Sequence, residues 1–245
     1  MRTLRRLIYT LVVVVWVILV TIVMGLLAIT TAFFSRKGNG PHLVARTWAK
    51  SILWVSRVKV NLKGLDNLPG DTPCILMPNH QSNFDIPVLL GRLPIQFRWL
   101  AKAELFKIPI FGRGMRGCGY ISIDRTNRKS AFKSLAEAAR KIRDGASVLI
   151  FPEGTRSRDG DIGPFKKGGF VLTVDAGVPI VPIIIYGTRT IMPKGRLIMQ
   201  RAEAYMEILP PVETSGYTRK TKDLLIEEVR SIICTAFDRV RESSP

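Results

Sequence analysis

The sequence predicts an α/β fold, a central mostly parallel sheet flanked by helices, preceded by an N-terminal two-helix membrane-binding segment. Three observations carry this expectation. From Val58 onward, short and almost wholly apolar runs alternate with segments of helical period, which is the pattern of strands covered on both faces by helices. Residues 7–34 contain 28 positions without one charge, long enough for a membrane helix. The residues with the most chemical potential lie in turns directly after apolar runs, where open α/β sheets bind ligands.

In chain order, Arg2, Arg5 and Arg6 precede the uncharged run, and Arg36 and Lys37 follow it. With both flanks basic, the positive-inside rule leaves the orientation undecided, so a single span and a helix dipping into one leaflet both stay open. The run is too long for a signal-peptide core and lacks a small-residue cleavage site before Ser35, so retention is expected. Gly38-Asn39-Gly40-Pro41 makes a tight turn. After it, Val44, Trp48, Ile52 and Val55 recur at helical spacing while Arg46, Lys50 and Arg57 gather elsewhere on the wheel. The helix over 41–57 therefore reads as interfacial, with packing on the protein's own core as the competing account. Residues 1–59 are assigned to the membrane segment and 60–245 to the α/β domain. On this reading the 7–34 helix sets the depth of the segment, and an unrelated transmembrane helix in its place, with Pro41 to Arg57 kept, should restore attachment and much of the activity.

Strands are expected at Val58–Leu62, Pro73–Met77, Phe97–Leu100, Gly119–Ile123, Ser147–Phe151 and Val181–Tyr186. Arg196–Gln200 and Ala204–Leu209 read as a hairpin. A helix from about Pro87 to Leu93 follows the second strand. Phe132, Leu135, Ala139 and Ile142 mark one face of another that stops at Gly145, and Leu225, Val229, Ile232 and Val240 mark a C-terminal helix.

The net charge is +18, from 37 basic and 19 acidic residues. Residues 1–65 hold ten Lys or Arg and no Asp or Glu, as expected of a segment lying against anionic lipid. No nucleic-acid motif is present and aromatics are not interleaved with the basic residues, so nucleic acid is set aside as a partner. Three widely spaced cysteines give no disulfide framework and fit a reducing compartment. With only two histidines besides, no metal-ligand cluster is expected.

The chemistry centres on Asn79-His80-Gln81-Ser82-Asn83-Phe84-Asp85. Pro87 suits the first turn of a helix, which puts Asp85 near a helix start, and the turn before it can fold the carboxylate back on the imidazole. An imidazole so held keeps one tautomer and gains basicity, as general-base work near neutral pH requires. The heptapeptide alone is equally satisfied by a loop histidine beside a helix-capping aspartate. A second turn, Phe151-Pro152-Glu153-Gly154-Thr155-Arg156-Ser157, offers close backbone approach at Gly154 and a planar fork for phosphate at Arg156, with Glu153 able to hold the loop. A third stretch, Gly119 to Arg125, adds Asp124 and Arg125, which could pair with each other. With Lys102, Arg125 and Arg156 could instead make an anion site. Lys166 and Lys167 read first as exposed solubility lysines.

In this order the stretches resemble the four blocks of the glycerolipid acyltransferase family, most closely bacterial 1-acylglycerol-3-phosphate acyltransferases. Asn79, His80 and Asp85 meet the first block. Gly119, Ile121, Asp124 and Arg125 meet the second, with Ser122 standing where the family usually has Phe. Residues 151–157 meet the third, and Val178-Pro179-Ile180-Val181-Pro182 the fourth. The resemblance implies that His80 is the general base and Asp85 its partner. It implies that Lys102, Arg125 and Arg156 meet the acceptor's phosphate, and that Glu153, Gly154 and Thr155 belong to the glycerol-binding block. It further implies acyl-CoA or acyl-carrier protein as acyl donor, no additional cofactor, lipid acceptor and product, and a cytoplasmic-facing site on a bacterial inner membrane. No Gly-x-Ser-x-Gly elbow is present, which fits direct transfer without an acyl-enzyme.

Overall fold

A computed structural model describes residues 2–124 and 126–243. Helices α1 (Arg2–Ala32) and α2 (Asn39–Val55) lead into β1 (Val60–Lys63). There follow β2 (Ile75–Pro78), α3 (Asp85–Arg92), β3 (Phe97–Lys102), α4 (Phe111–Gly117), β4 (Ile121–Ile123) and α5 (Arg128–Arg143). The chain continues through β5 (Ser147–Leu149), α6 (Lys167–Ala176), β6 (Ile180–Tyr186), α7 (Thr188–Ile191), β7 (Ala204–Ile208) and α8 (Lys222–Ser243).

The strands form one sheet in the order β1-β7-β6-β2-β5-β3-β4. β2 to β6 run parallel, β7 is antiparallel to β6, and β1 is parallel to β7. Residue parity along β2 shows why the register is fixed. Cys74 and Leu76 enter the core layer under α1 to α4, while Ile75 and Met77 enter the layer under α5, α6 and α8, and all four are fully buried. A one-residue slip would exchange the two sets. In α5 the Asn127 side chain accepts from Ser130 N at 3.0 Å, and the chain leaves the helix through Gly145 at φ 89°. Such cap and exit residues set helix ends.

Two parts of the sequence reading differ from the fold. Arg196–Gln200 is not a strand. β7 instead pairs with β6, Ile183 opposite Ile208, and with β1, Val60 opposite Ala204. Within 196–200, Met199 is buried and its N donates to Thr10 Oγ1 of α1 at 2.9 Å, while Leu197 and Ile198 are exposed. The short helices α4 and α6 also went unread, because the glycines of Phe111-Gly112-Arg113-Gly114 and Gly168-Gly169 lower helix propensity and interrupt the apolar period.

α1 is long and apolar enough over Thr3–Ala32 to cross a membrane by length and composition. Its inner face follows the domain closely. Tyr9 OH donates to Ser56 O at 2.8 Å, and Trp48 Nε1 donates to Thr21 Oγ1 at 2.9 Å. Farther along, Gly25, Ala28 and Ala32 meet α4, where a Cβ added at Gly117 would stand 3.0 Å from that of Ala32. Val13, Val20 and Ala28 are buried, while Leu4, Leu11, Val15 and Leu19 on other faces are exposed. α2 divides in the same way: Ala49, Ile52 and Leu53 join the core, and Trp54 stands 76% exposed.

Candidate active site

β2 ends by handing its pairing to a side chain. Asn79 Oδ1 accepts from Ile185 N at 2.6 Å and its Nδ2 donates to Ile185 O at 2.9 Å, so the amide continues the ladder to β6 while the backbone turns away. His80 leaves the sheet there. Its Nδ1 lies 2.7 Å from Asp85 Oδ2, on the first residue of α3. Gln81 N and Ser82 N donate to the same oxygen at 2.7 and 2.9 Å, and Thr188 Oγ1 donates to the other at 2.5 Å. Four donors therefore surround a carboxylate with no exposed surface, as a buried charge requires. With Asp85 acting only as acceptor, Nδ1 carries its hydrogen and Nε2 is left to take a proton. The imidazole stacks on Phe151 at 3.8 Å between ring centroids, 14° from parallel.

Glu153 ties the first turn to the second. Its Oε1 accepts from His80 N at 2.7 Å and its Oε2 from Gly163 N at 2.9 Å, while Ser157 N donates to His80 O at 2.8 Å. Burial pushes the Glu153 carboxyl up to about 7, against the pull of the Gly163 and His80 N–H groups.

A cleft of about 530 Å³ opens at these turns. His80, Lys102, Gly154, Thr155 and Arg156 line it; Asp85 and Glu153 stand behind and hold the turns. Arg125 lies outside the described residues. Asp124 accepts from Thr126 N at 2.9 Å and Thr126 Oγ1 at 2.7 Å. Lys102 Nζ is 3.0 Å from Glu104 Oε1, with both side chains more than half exposed. Lys167 pairs with Asp223, and neither it nor Lys166 reaches the cleft. The remaining wall is mostly apolar: Met24, Gly25 and Ala28 of α1, Trp48 of α2, Ile86 and Leu90 of α3, and Phe111 and Met115 of α4 line it together with Trp99 and Leu100 of β3. One charged and polar end therefore joins a greasy trough, a shape and polarity suited to a lipid or acyl chain with an anionic head.

A model of the Acyltransferase family matches residues 59–186, more than half of the chain. The chain belongs to the acyltransferase family. It is 39% identical over 201 residues to the chloroplastic 1-acyl-sn-glycerol-3-phosphate acyltransferase BAT2 of Brassica napus, covering 81% of this chain and 56% of the relative. The chain thus spans little more than half the length of that plant protein. It is 31% identical to the human 1-acyl-sn-glycerol-3-phosphate acyltransferase alpha, covering 80% of this chain and 70% of the human one. The crystal structure of the 1-acyl-sn-glycerophosphate acyltransferase PlsC from Thermotoga maritima superposes with a TM-score of 0.84 at 28% identity, covering 98% of each chain.

The two histidines have opposite surroundings. His42 is fully buried with Nδ1 3.1 Å from Tyr120 OH, and burial, aided by Arg98 and Arg46, pushes it down to about 3. It is a neutral packing residue. Among the described residues, no group of three or more His, Cys, Asp or Glu is placed to hold a metal ion.

Two site residues escaped the sequence reading. Thr188, behind Asp85, opens α7 directly after β6, in a strand-end turn like those after β2 and β5 that carry His80 and Glu153. Lys194, in the Pro193-Lys194-Gly195 turn, donates to Arg156 O at 2.5 Å and Thr155 Oγ1 at 3.1 Å; no spacing in the sequence links it to them. Thr188→Val removes one hydrogen bond from the buried carboxylate, and a bond to a charged group contributes about 1.5–3 kcal/mol. The variant should lose roughly tenfold in kcat, and Thr188→Ser, which keeps the hydroxyl, should recover most of it. Equal losses in the two would assign Thr188 to packing.

Proposed function

We propose that the chain transfers a fatty acyl group from the thioester of CoA or acyl-carrier protein to the 2-hydroxyl of 1-acyl-sn-glycerol 3-phosphate, giving phosphatidic acid. The observation that carries this is the His80–Asp85 pair at one end of an apolar trough, beside Arg156 and Lys102. The acceptor hydroxyl attacks the thioester carbonyl as its proton passes to His80 Nε2. The tetrahedral adduct then collapses, the C–S bond breaks, and the thiolate leaves and recovers the proton from the imidazolium. Asp85 fixes the ring and stabilises its charged form. The reaction so written draws on no cofactor. Incubation of the purified protein with a labelled acyl thioester and a panel of lysolipids and glycerol 3-phosphate tests the assignment. Lysophosphatidic acid should be the preferred acceptor, and no labelled product from any acceptor would overturn it.

We place the site at one leaflet of the membrane, on the cytoplasmic face of a bacterial inner membrane where acyl thioesters are made. α1 packs on the domain from Tyr9 to Ala32, and its outward apolar face stays available to lipid. An acceptor can then reach His80 without leaving the leaflet.

Arg156 is assigned to the acceptor's phosphate. Arg156→Lys keeps the charge but loses the two-pronged contact, so the KM for lysophosphatidic acid should rise about tenfold while that for the acyl donor changes less than twofold. Equal rises would put Arg156 on the phosphates of CoA or on the fold.

A further inference from the structure

The loop between α7 and β7 contributes to neither the cleft wall nor the sheet. Pro193 to Arg196 make a tight turn, with Arg196 N donating to Pro193 O at 3.1 Å and Gly195 at φ 80°. At its tip Leu197 is 79% exposed and the adjacent Ile198 51%. Exposed apolar residues that stand alone call for no account, but these two extend a larger apolar surface. Just beyond them Met199 N is bound to Thr10 Oγ1 of α1, and the Arg201 guanidinium lies over the Tyr9 ring, 5.5 Å from its centroid. Leu4, Leu7, Ile8 and Leu11 on the same end of α1 are exposed as well. Arg5, Arg6, Arg196 and Arg201 belong to the same two segments and are all exposed, and neither 2–12 nor 193–202 contains an acidic residue.

We propose that the loop Lys194–Ile198 is a second membrane-docking element, which inserts Leu197 and Ile198 beside the N-terminal part of α1 into an anionic leaflet. The proposal rests on the membrane-surface reading above and adds a contact outside the two N-terminal helices. Charge and continuity select lipid as the occupant. An apolar tip in a loop that also carries exposed Arg196 and Arg201 matches the acyl–headgroup boundary of an anionic leaflet, and the tip continues the outward face of a helix apolar enough to enter a bilayer. The base of the loop is tied to the active site. Lys194 Nζ holds Arg156 O and Thr155 Oγ1, and Ser82 Oγ donates to Met192 O at 2.8 Å. Docking the tip therefore fixes the height of the Arg156 turn above the leaflet in which the acceptor's headgroup lies.

The test uses the full chain in vesicles of three parts phosphatidylethanolamine to one part phosphatidylglycerol, with and without brominated acyl chains. Leu197→Trp should add a fluorescence component quenched by the brominated lipid. Leu224→Trp, at a position 60% exposed on α8, is the control and should add an unquenched one. The Leu197→Glu/Ile198→Glu pair should lower the rate on vesicle-borne lysophosphatidic acid at least fivefold and stay within twofold of the parent in mixed micelles. Leu197→Trp emission quenched no more than the control overturns the proposal whatever the activities, as does a Glu pair that works at the parental rate in vesicles. A Glu pair that changes the oligomeric state in detergent, with Leu197→Trp unquenched, would give the patch to another copy of the chain. Quenching is read without turnover, so an inactive parent would sink the proposed reaction and leave the docking result standing.

Discussion

Replacing His80 by alanine should lower turnover by about a hundredfold to ten-thousandfold, the usual contribution of a positioned general base, with the fold and membrane attachment intact. His80 is half-buried at a cleft edge, and its backbone, not its ring, makes the bonds to Glu153 and Ser157. Removing the ring therefore spares the clamp between the two turns. Asp85→Asn makes a sharper test because it separates geometry from charge. Oδ2 accepts from three donors, and an amide oxygen placed there keeps all three. The new NH2 would face Thr188 Oγ1, whose hydroxyl can turn from donor to acceptor. The network survives, but the negative charge that stabilises the imidazolium is lost, so turnover should fall nearly as far as in His80→Ala while thermal stability changes little. Steady-state rates at saturating donor, with circular dichroism on the same samples, read both. Near-parental turnover in folded His80→Ala would move the base elsewhere, and His42, fully buried and not on the cleft wall, could not supply it.

The parts of this protein that were legible in the sequence are those fixed by near neighbours. β2 could be read because Cys74 to Met77 are apolar on both faces, and a strand-end turn followed by Pro87 put His80 and Asp85 within reach of each other. Glu153, Gly154, Thr155 and Arg156 share one turn, so finding one found all. What could not be read depends on distant segments meeting. An uncharged helix looks equally suited to lipid on every side, and nothing in residues 7–34 states that Gly25 and Ala28 belong to the wall of a cleft. Their partner, Phe111 to Gly117, is rich in glycine and has no apolar period to announce a helix. Small residues on both sides allow the close approach, and the same smallness hides them from a pattern search. The misread 196–200 strand has a related cause: Leu197-Ile198-Met199 is as apolar as a strand, but its partner is a helix end almost two hundred residues earlier.

Exchanging residues 7–34 for an unrelated transmembrane helix should keep the protein on the membrane and leave about a hundredth of its activity or less. The anchor reading of the sequence predicts the opposite, and the packing of α1 is the reason to expect the loss. Met24, Gly25 and Ala28 form part of the cleft wall, and Thr21 holds Trp48, which lines the same cleft. At Gly25 there is no room for a side chain: a Cβ would stand 2.6 Å from Ile110 Cγ2. Ile110 cannot easily yield, since it is a β-branched residue at φ 61°, a conformation such residues rarely adopt and that only firm surroundings maintain. A larger residue there would push α1 and α4 apart, and displacements of about 1 Å at a reacting centre can cost about a hundredfold in rate. A second exchange separates wall from anchor. If Tyr9, Thr21, Met24, Gly25, Ala28 and Ala32 are grafted into the same foreign helix, the contacts to Ser56, Trp48, Ile110 and Gly117 return, and the rate on vesicle-borne lysophosphatidic acid should recover to within about fivefold of the parent. Full activity in the ungrafted exchange would show that the cleft works without its α1 wall, and would return the helix to the role of a simple tether.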